Sequence, residues 1–362
     1  VIPLPLGEVA RLAGAKLAAG DPHTLVVAHP SVDSRAVVPG GLYVAVVGAR
    51  ADGHDFVQQA LAGGAVAALV SRPVDAPYLL ADDVVVAIGR LARSLVDRLV
   101  GSGLLVVGVT GSSGKTSTKD LLGAVLERLG PTVAPTGSLN TEIGVPITAL
   151  RADETTRVLV VEMGARGIGH IATLCEVTPP RIGVVLNVGA AHAGEFGGKE
   201  ATARAKAELV EALPSAAHGG VAVLNADDPL VDAMARRTAA RVVRVGRGAD
   251  ADVRATRVEL DELGRPSYLL HSAGGEPVEV RLRLHGEHHV ANSLAVAAVA
   301  LEAGLQPAEI ATALGDATVS SRWRMEVTER PDGVLVVNDA YNANPDSVRA
   351  ALSAVATMAA GR

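Results

Sequence analysis

Between Leu104 and Val245 the chain repeats a short apolar run, rich in Val, Ile and Leu, followed by a stretch with helical spacing, and no other feature limits its fold as strongly. The runs are Leu104 to Val109, Arg157 to Val161, Ile182 to Val188, Val221 to Leu224 and Val242 to Val245. They are apolar without alternation, as strands covered on both faces must be. The reading is therefore an α/β fold with a doubly wound, mostly parallel sheet. In such sheets ligands gather outside the carboxyl ends of the strands, so the residues that close each run carry the functional interest.

The first run closes into a candidate phosphate-binding loop. Val107 to Lys119 reads VGVTGSSGKTSTK, in which Gly111, Ser112, Ser113 and Gly114 are small enough for backbone N–H groups to turn inward. The N-terminus of the following helix adds its partial positive charge. Lys115 would meet the outer phosphates and the Thr116 hydroxyl would reach a magnesium ion. The spacing departs from G-x-x-x-x-G-K-[ST], because Val109 stands where glycine is required and the glycines fall at Gly108 and Gly111.

Glu162 closes the second run, and its carboxylate either faces the loop as a magnesium-bearing acid or points to water. Asn187 and His192 follow the third; His192 is a metal ligand or a satisfied hydrogen-bonding residue. In the helix expected over Lys199 to Leu213, Lys206 shares a face with Ala203, Leu209 and Val210. Snorkelling to water is the reading that the pattern favours; partial burial, which would lower the amine's pKa, is the alternative. Asn292 opens a helix that is apolar nearly all round, where it is an interior hydrogen bonder or a reader of a base edge.

At 362 residues the chain is too long for one ordinary core. Three domains are expected, over residues 1–102, 103–325 and 326–362, with the chain ending inside the third. The first shows a helix near Leu6 to Ala13, a strand at Leu42 to Val47, a helix at His54 to Ala62, a strand at Val66 to Val70 and a helix at Leu91 to Val100. Its Asp33-Ser34-Arg35 stretch reads as an ion-paired turn, or as a phosphate site built on Arg35. Val253 to Gly286 looks antiparallel, with Val278, Val280, Leu282 and Leu284 alternating with polar residues. The third opens with a strand, Val334 to Val337, and a helix to Ala360. A net charge of −6 argues against a nucleic-acid partner. Cys175, the single cysteine, allows no disulfide framework, which suits a reducing compartment. No apolar run approaches a membrane span, so a cytoplasmic protein is expected; a monomer is expected as well.

Several separated stretches, covering essentially the whole chain, resemble the Mur ligases, ATP-dependent amide-forming enzymes of peptidoglycan precursor synthesis. VTGSSGKTSTKD resembles the family's ATP loop, which has the same shifted glycines, and VEMGARGIGHI, LNVGAAHAGEFGG, HGEHHVANSLA and WRMEV resemble its later landmarks. SLNTEIGVP and NDAYNANPDS are similar to the branch that joins D-alanyl-D-alanine to UDP-N-acetylmuramoyl-tripeptide, and DSR and DGHDF agree with a domain binding the UDP-sugar end. The resemblance implies that residues 1–102 bind the UDP-muramoyl-peptide, with Ser34 and Arg35 among the contacts, and that 103–325 form the ATP domain. It implies that Gly111, Ser112, Ser113, Gly114, Lys115, Thr116 and Ser117 hold ATP, and that Thr116, Glu162 and His192 organise Mg2+. Lys206 corresponds to a lysine that the family carbamylates. Asn292 would meet adenine, Arg324 (or the neighbouring Arg322) the γ-phosphate, and Asp339 the ribose. Asn140, Thr141 and Glu142 would lie along the muramoyl-peptide. The competing readings are a Mur-type ligase for another amine, a folylpolyglutamate synthase, and a noncatalytic nucleotide- or UDP-sugar-binding module.

Overall fold

Two units emerge from the fold of residues 1–189, 198–318 and 320–359, the residues that this computed structural model describes. The first comprises Val1–Leu105 with Leu139–Leu159 and Glu176–Thr178; the second comprises Val106–Ser138, Val160–Cys175 and Pro179–Arg362.

Strands of the first unit are β1 (Leu4–Pro5), β2 (Lys16–Ala19), β3 (Leu25–Val26), β4 (Leu42–Val44), β5 (Ala67–Val70) and β6 (Tyr78–Leu80). β1 pairs with β3, and a four-stranded sheet runs β2-β6-β5-β4, parallel except at β2. Its long helix spans Val84–Gly101 rather than beginning at Leu91. Three successive valines at its start are poor helix formers, but the Asp83 carboxylate accepts from the N–H groups of Val85 (2.7 Å) and Val86 (3.1 Å), and Val84, Ala87 and Ile88 are buried. Capping and burial outweigh propensity here. The expected helix at His54 to Ala62 begins instead as a 3-10 turn, Gly53–Phe56, because Asp52 accepts from the His54 N–H; the α-helix is Val57–Ala62.

A nine-stranded sheet organises the second unit. Its strands are β7 (Leu105–Thr110), β8 (Thr132–Val133), β9 (Val158–Glu162), β10 (Ile182–Val185), β11 (Val221–Asn225), β12 (Arg241–Gly246), β13 (Val253–Leu260), β14 (Pro266–His271) and β15 (Val278–Arg281). The order is β15-β14-β13-β12-β11-β10-β7-β9-β8. β7, β10, β11 and β12 run parallel, β13 joins β12 in parallel, and β14 runs antiparallel to its two neighbours, β13 and β15. The antiparallel stretch is thus an extension of the same sheet; of the four alternating positions Val280, Leu282 and Leu284 are buried and Val278 is half-buried, and the strand itself ends at Arg281. From β7 the chain moves to one side for β8 and β9, then to the other for β10 to β12. The crevice of a doubly wound sheet lies at that reversal, beside the carboxyl end of β7.

Gly108 explains the shifted glycine pattern. It lies inside β7, in register with Gly183 of β10. A Cβ at Gly108 would come within 3.1 Å of Leu209 Cδ1, and one at Gly183 within 3.2 Å of Leu209 Cγ. The two glycines form a flat spot that lets the helix Lys199–Glu211 lie close on the sheet. Gly108 therefore serves helix–sheet packing and is not part of the loop.

After the helices His288–Glu302 and Pro307–Asp316 the chain forms a hairpin, β16 (Glu326–Glu329) with β17 (Leu335–Asn338), and the helix Pro345–Ala359. Asn344 begins that helix by accepting from the N–H groups of Asp346 (3.1 Å) and Ser347 (2.9 Å). Met325, Ala354 and Met358 form a small core under the hairpin.

Candidate active site

Three strand ends converge at the reversal of the sheet. Val185 of β10 is level with Thr110 of β7, and the Thr110 hydroxyl donates to the Met163 carbonyl just beyond β9 (2.9 Å). Gly111, Glu162 and Asn187 therefore share one layer. The loop's turn is made at Gly114, whose φ of +80° favours glycine and whose added Cβ would lie 2.6 Å from Asn292 Oδ1. Lys115 opens the helix Lys115–Leu126 and folds back, its Nζ donating to the Gly111 carbonyl (2.8 Å).

Glu162 is buried and turns toward the loop, accepting a hydrogen bond from the Thr116 hydroxyl (3.1 Å), so the outward-pointing alternative is not adopted. Arg324 approaches from the far end of the chain. Its Nη2 donates to Thr116 Oγ1 (3.4 Å) and its guanidinium lies 4.2 Å from the Tyr341 ring centroid. Arg322 is exposed, and only Arg324 of the two arginines reaches the loop. The Lys115 amine is lowered from its ordinary pKa by desolvation; the Glu162 charge opposes this and the Arg324 charge adds to it.

Lys206 departs from the snorkelling reading. It is 6% exposed, because the close approach at Gly108 and Gly183 brings its helix down onto the sheet. Desolvation first, and the Lys115 charge second, lower its pKa to about 7. Two residues on, Glu208 accepts from the N–H groups of Gly169 (2.6 Å) and Ala172 (3.0 Å), fixing the start of the helix His170–Val177 to the Lys206 helix.

Asn292 is buried and lies against Gly114. Its Nδ2 is 3.5 Å from His289 Nδ1, and His289 is kept neutral by desolvation, with His288 and His285 adding to the effect. Asn292 Nδ2 therefore donates to that ring, which leaves Oδ1 toward the loop glycine. Asp339 accepts from the Met325 N–H (3.1 Å), and desolvation raises its carboxyl pKa. His192 lies outside the described residues.

Residue typing alone gave no role to Asn187, although it follows a strand run. Its Oδ1 accepts from the N–H groups of Ser112 (3.0 Å) and Ser113 (2.9 Å), and its Nδ2 donates to the Ser113 carbonyl (3.2 Å). One carboxamide thus braces the first half of the loop. The signal available in sequence was an amide side chain two residues beyond the end of β10, a parallel strand adjacent to β7.

In the first unit, Arg35 is held by Asp33 through Nε–Oδ1 (2.9 Å) and Nη2–Oδ2 (2.8 Å), and this pairing lowers the Asp33 carboxyl to about 2. The ion-paired turn is the form observed. Ser34 donates to Gln59 Oε1 (2.8 Å). Within DGHDF, His54 is buried between Asp52 (Nδ1–Oδ1, 2.6 Å) and the Ser71 N–H, which donates to Nε2 (3.1 Å). That histidine ties the loop to the end of β5. Thr141 Oγ1 accepts from the Gly144 N–H (3.3 Å) at the start of the helix Gly144–Ala149, where Asn140 and Glu142 also lie.

Hard oxygen donors on Thr116 and Glu162, a glycine cradle, and Lys115 and Arg324 turned to one loop suit a polyphosphate with a magnesium ion. Such a loop at the switch point of a doubly wound sheet defines the phosphate-loop class of nucleotide-binding proteins. The Mur ligase middle domain matches residues 109–300, and the catalytic domain of the Mur ligase family matches residues 27–95. The chain belongs to the Mur ligase family. It is 49% identical to the UDP-N-acetylmuramoyl-tripeptide--D-alanyl-D-alanine ligase of Mycobacterium tuberculosis, over 99% of this chain and 74% of that protein. Against the Escherichia coli ligase of the same name the identity is 36%, over 91% and 72%. Among solved structures, MurF from Acinetobacter baumannii superposes with a TM-score of 0.88 at 32% identity, over 99% of this chain and 77% of that one. The MurF ligase of Thermotoga maritima, solved in complex with ADP, gives 0.77 at 31% identity, over 92% and 75%. No helix among the described residues is long and apolar enough to cross a membrane.

Proposed function

We propose that this chain carries the nucleotide- and muramoyl-peptide-binding machinery of an ATP-dependent ligase that joins D-alanyl-D-alanine to UDP-N-acetylmuramoyl-tripeptide in the cytoplasm, acting as a monomer. The observation that carries the reading is the Thr116–Glu162 hydrogen bond beneath Lys115, in a loop at the switch point. The 49% identity to a ligase of that name over nearly the whole chain supports the choice of substrates.

A carboxylate is a poor electrophile. Transfer of the terminal phosphoryl group of ATP to the tripeptide carboxylate makes an acyl phosphate; the dipeptide amine then forms the amide bond as the C–O bond to phosphate breaks, leaving ADP and phosphate. The residues of this chain supply position and charge rather than a nucleophile. Backbone N–H groups of the 111 to 117 loop and Lys115 hold the phosphates, and Arg324 meets the terminal one. Thr116 and Glu162, with His192, would hold Mg2+, which neutralises phosphate charge when bound. Lys206, with an amine neutral enough near pH 7 to take up carbon dioxide, would become a carbamate and add negative charge to a site that is otherwise rich in cations. Asn292 and Asp339 serve the nucleoside end. Residues 1–102, with Ser34 and Arg35, receive the UDP-sugar, and Asn140, Thr141 and Glu142 the peptide. Residues 103–325 form the ATP domain, and 326–362 open a third.

Lys115→Ala tests the reading. Equilibrium binding of Mg-ATP should weaken by about a hundredfold, the loss of a charge-assisted phosphate contact of 2–3 kcal/mol, while the circular dichroism spectrum stays that of the parent. Unchanged Mg-ATP affinity in a folded variant would refute it.

A further inference from the structure

Lys119, one helical turn after Lys115, and its neighbour Asp120 are not accounted for by nucleotide binding. Both are buried, and they form an ion pair inside the unit. Lys119 Nζ also donates to the Pro135 carbonyl (2.6 Å) and to Ser321 Oγ (3.2 Å). Asp120 accepts from Ser320 Oγ (3.0 Å) and from the Ser321 N–H (3.0 Å). The partners at the far end are thus two adjacent residues, about two hundred positions away in sequence, which lead directly into Arg324.

The segment they hold is under backbone constraint. Trp323 and Met325, on either side of Arg324, have φ of +60° and +51°, a region that side chains other than glycine rarely adopt. Such a conformation persists only where the surroundings fix it. Beyond the two serines, the Trp323 N–H donates to Glu326 Oε1 (2.8 Å), the Trp323 carbonyl accepts from the Tyr341 N–H (3.3 Å), and the Met325 N–H donates to Asp339 Oδ1 (3.1 Å). Tyr341, whose ring underlies the guanidinium, is itself hydrogen-bonded through its hydroxyl to Ser138. These contacts flank Arg324, which reaches Thr116.

We propose that the buried Lys119–Asp120 pair is a latch that sets the register of the Ser320–Arg324 strap against the phosphate loop, which makes Lys119 and Asp120 positioning residues for Arg324. The same helix that begins with Lys115 carries the latch one turn later, so loop and strap share one rigid support. The inference rests on the proposed role of Arg324 at the terminal phosphate of ATP.

The test compares Kd for Mg-ATP with Kd for Mg-ADP by calorimetry in the parent, Arg324→Ala, Asp120→Asn and the double variant Ser320→Ala/Ser321→Ala. ADP lacks the phosphate that Arg324 meets. Arg324→Ala should weaken ATP by about tenfold more than ADP, one charge-assisted contact. Asp120→Asn should show the same ATP-selective loss, and the serine double variant, which leaves the buried pair intact and so keeps the fold, a smaller one. Emission of Trp323, the chain's single tryptophan, should shift in both latch variants before nucleotide is added. If ATP and ADP weaken equally in the latch variants, the pair supports the loop alone and the latch is refuted. An ATP-to-ADP ratio unchanged in the serine variant and in folded Asp120→Asn, with Arg324→Ala selective, also refutes it. If Arg324→Ala itself is unselective, the assignment of Arg324 fails and the latch falls with it, while the Lys115 test stands independently.

Discussion

Burial of Lys206 makes a prediction whose size and sign follow from one group. Its amine is lowered from 10.5 to about 7, chiefly by desolvation and then by the Lys115 charge. Each unit is worth about 1.4 kcal/mol, so the protonated lysine weakens the fold by about 5 kcal/mol. Between pH 7 and 10.5 the unfolded chain binds this proton and the folded chain does not, so stability rises with pH across that window. Below pH 7 both states are protonated and the whole cost is present. Lys206→Met removes the charge and keeps the volume. The variant should be more stable than the parent at pH 6.5, and the gap should narrow by about 2–3 kcal/mol by pH 9. The assay is urea unfolding in carbon dioxide-free buffer, followed by emission of Trp323, which lies in the same unit. A gap that stays constant from pH 7 to 9, or that widens, would show that Lys206 is not buried with a lowered pKa.

Two further substitutions probe the loop. Gly114→Ala places a Cβ 2.6 Å from Asn292 Oδ1 at φ +80°; it should cost about 1–2 kcal/mol of stability and weaken Mg-ADP binding in the same calorimetric titration. Asn187→Asp keeps an acceptor for the Ser112 and Ser113 N–H groups but adds negative charge beside the phosphates. It also loses the Nδ2 donor to the Ser113 carbonyl, so its urea midpoint should fall, though by less than that of Asn187→Ala, while nucleotide affinity falls by about tenfold or more; Asn187→Ala, which leaves both N–H donors without that partner, should lose about 1–3 kcal/mol of stability.

The parallel strands were legible because burial on both faces leaves an uninterrupted apolar signature. β7, β9, β11 and β12 lie within one residue of the runs that announced them, and β10 stops three residues short of its run. Short edge strands such as β8, with two residues, carry no such signature. The start of Val84–Gly101 was hidden because three valines argue for a strand and the Asp83 cap outweighs them only when the helix is buried. At the site, Lys115, Thr116 and Glu162 could be read from residue type and position after a strand. Lys206 could not be settled, since its burial depends on Gly108 and Gly183 lying side by side in different strands. Gly108 itself was read against the loop pattern although its partner is Leu209. The ties from Asp120 to Ser320 and Ser321 were beyond local reasoning, because nothing at position 120 indicates a partner so distant in the chain.

The proposed ligase activity is decided by the mass of the product formed when this chain is incubated with Mg-ATP, UDP-N-acetylmuramoyl-tripeptide and D-alanyl-D-alanine. The expected product is heavier than the UDP-tripeptide by the dipeptide less one water, formed with equimolar phosphate and abolished by Lys115→Ala. Phosphate release without that mass, or that mass from the Lys115→Ala chain at the parent's rate, would contradict it.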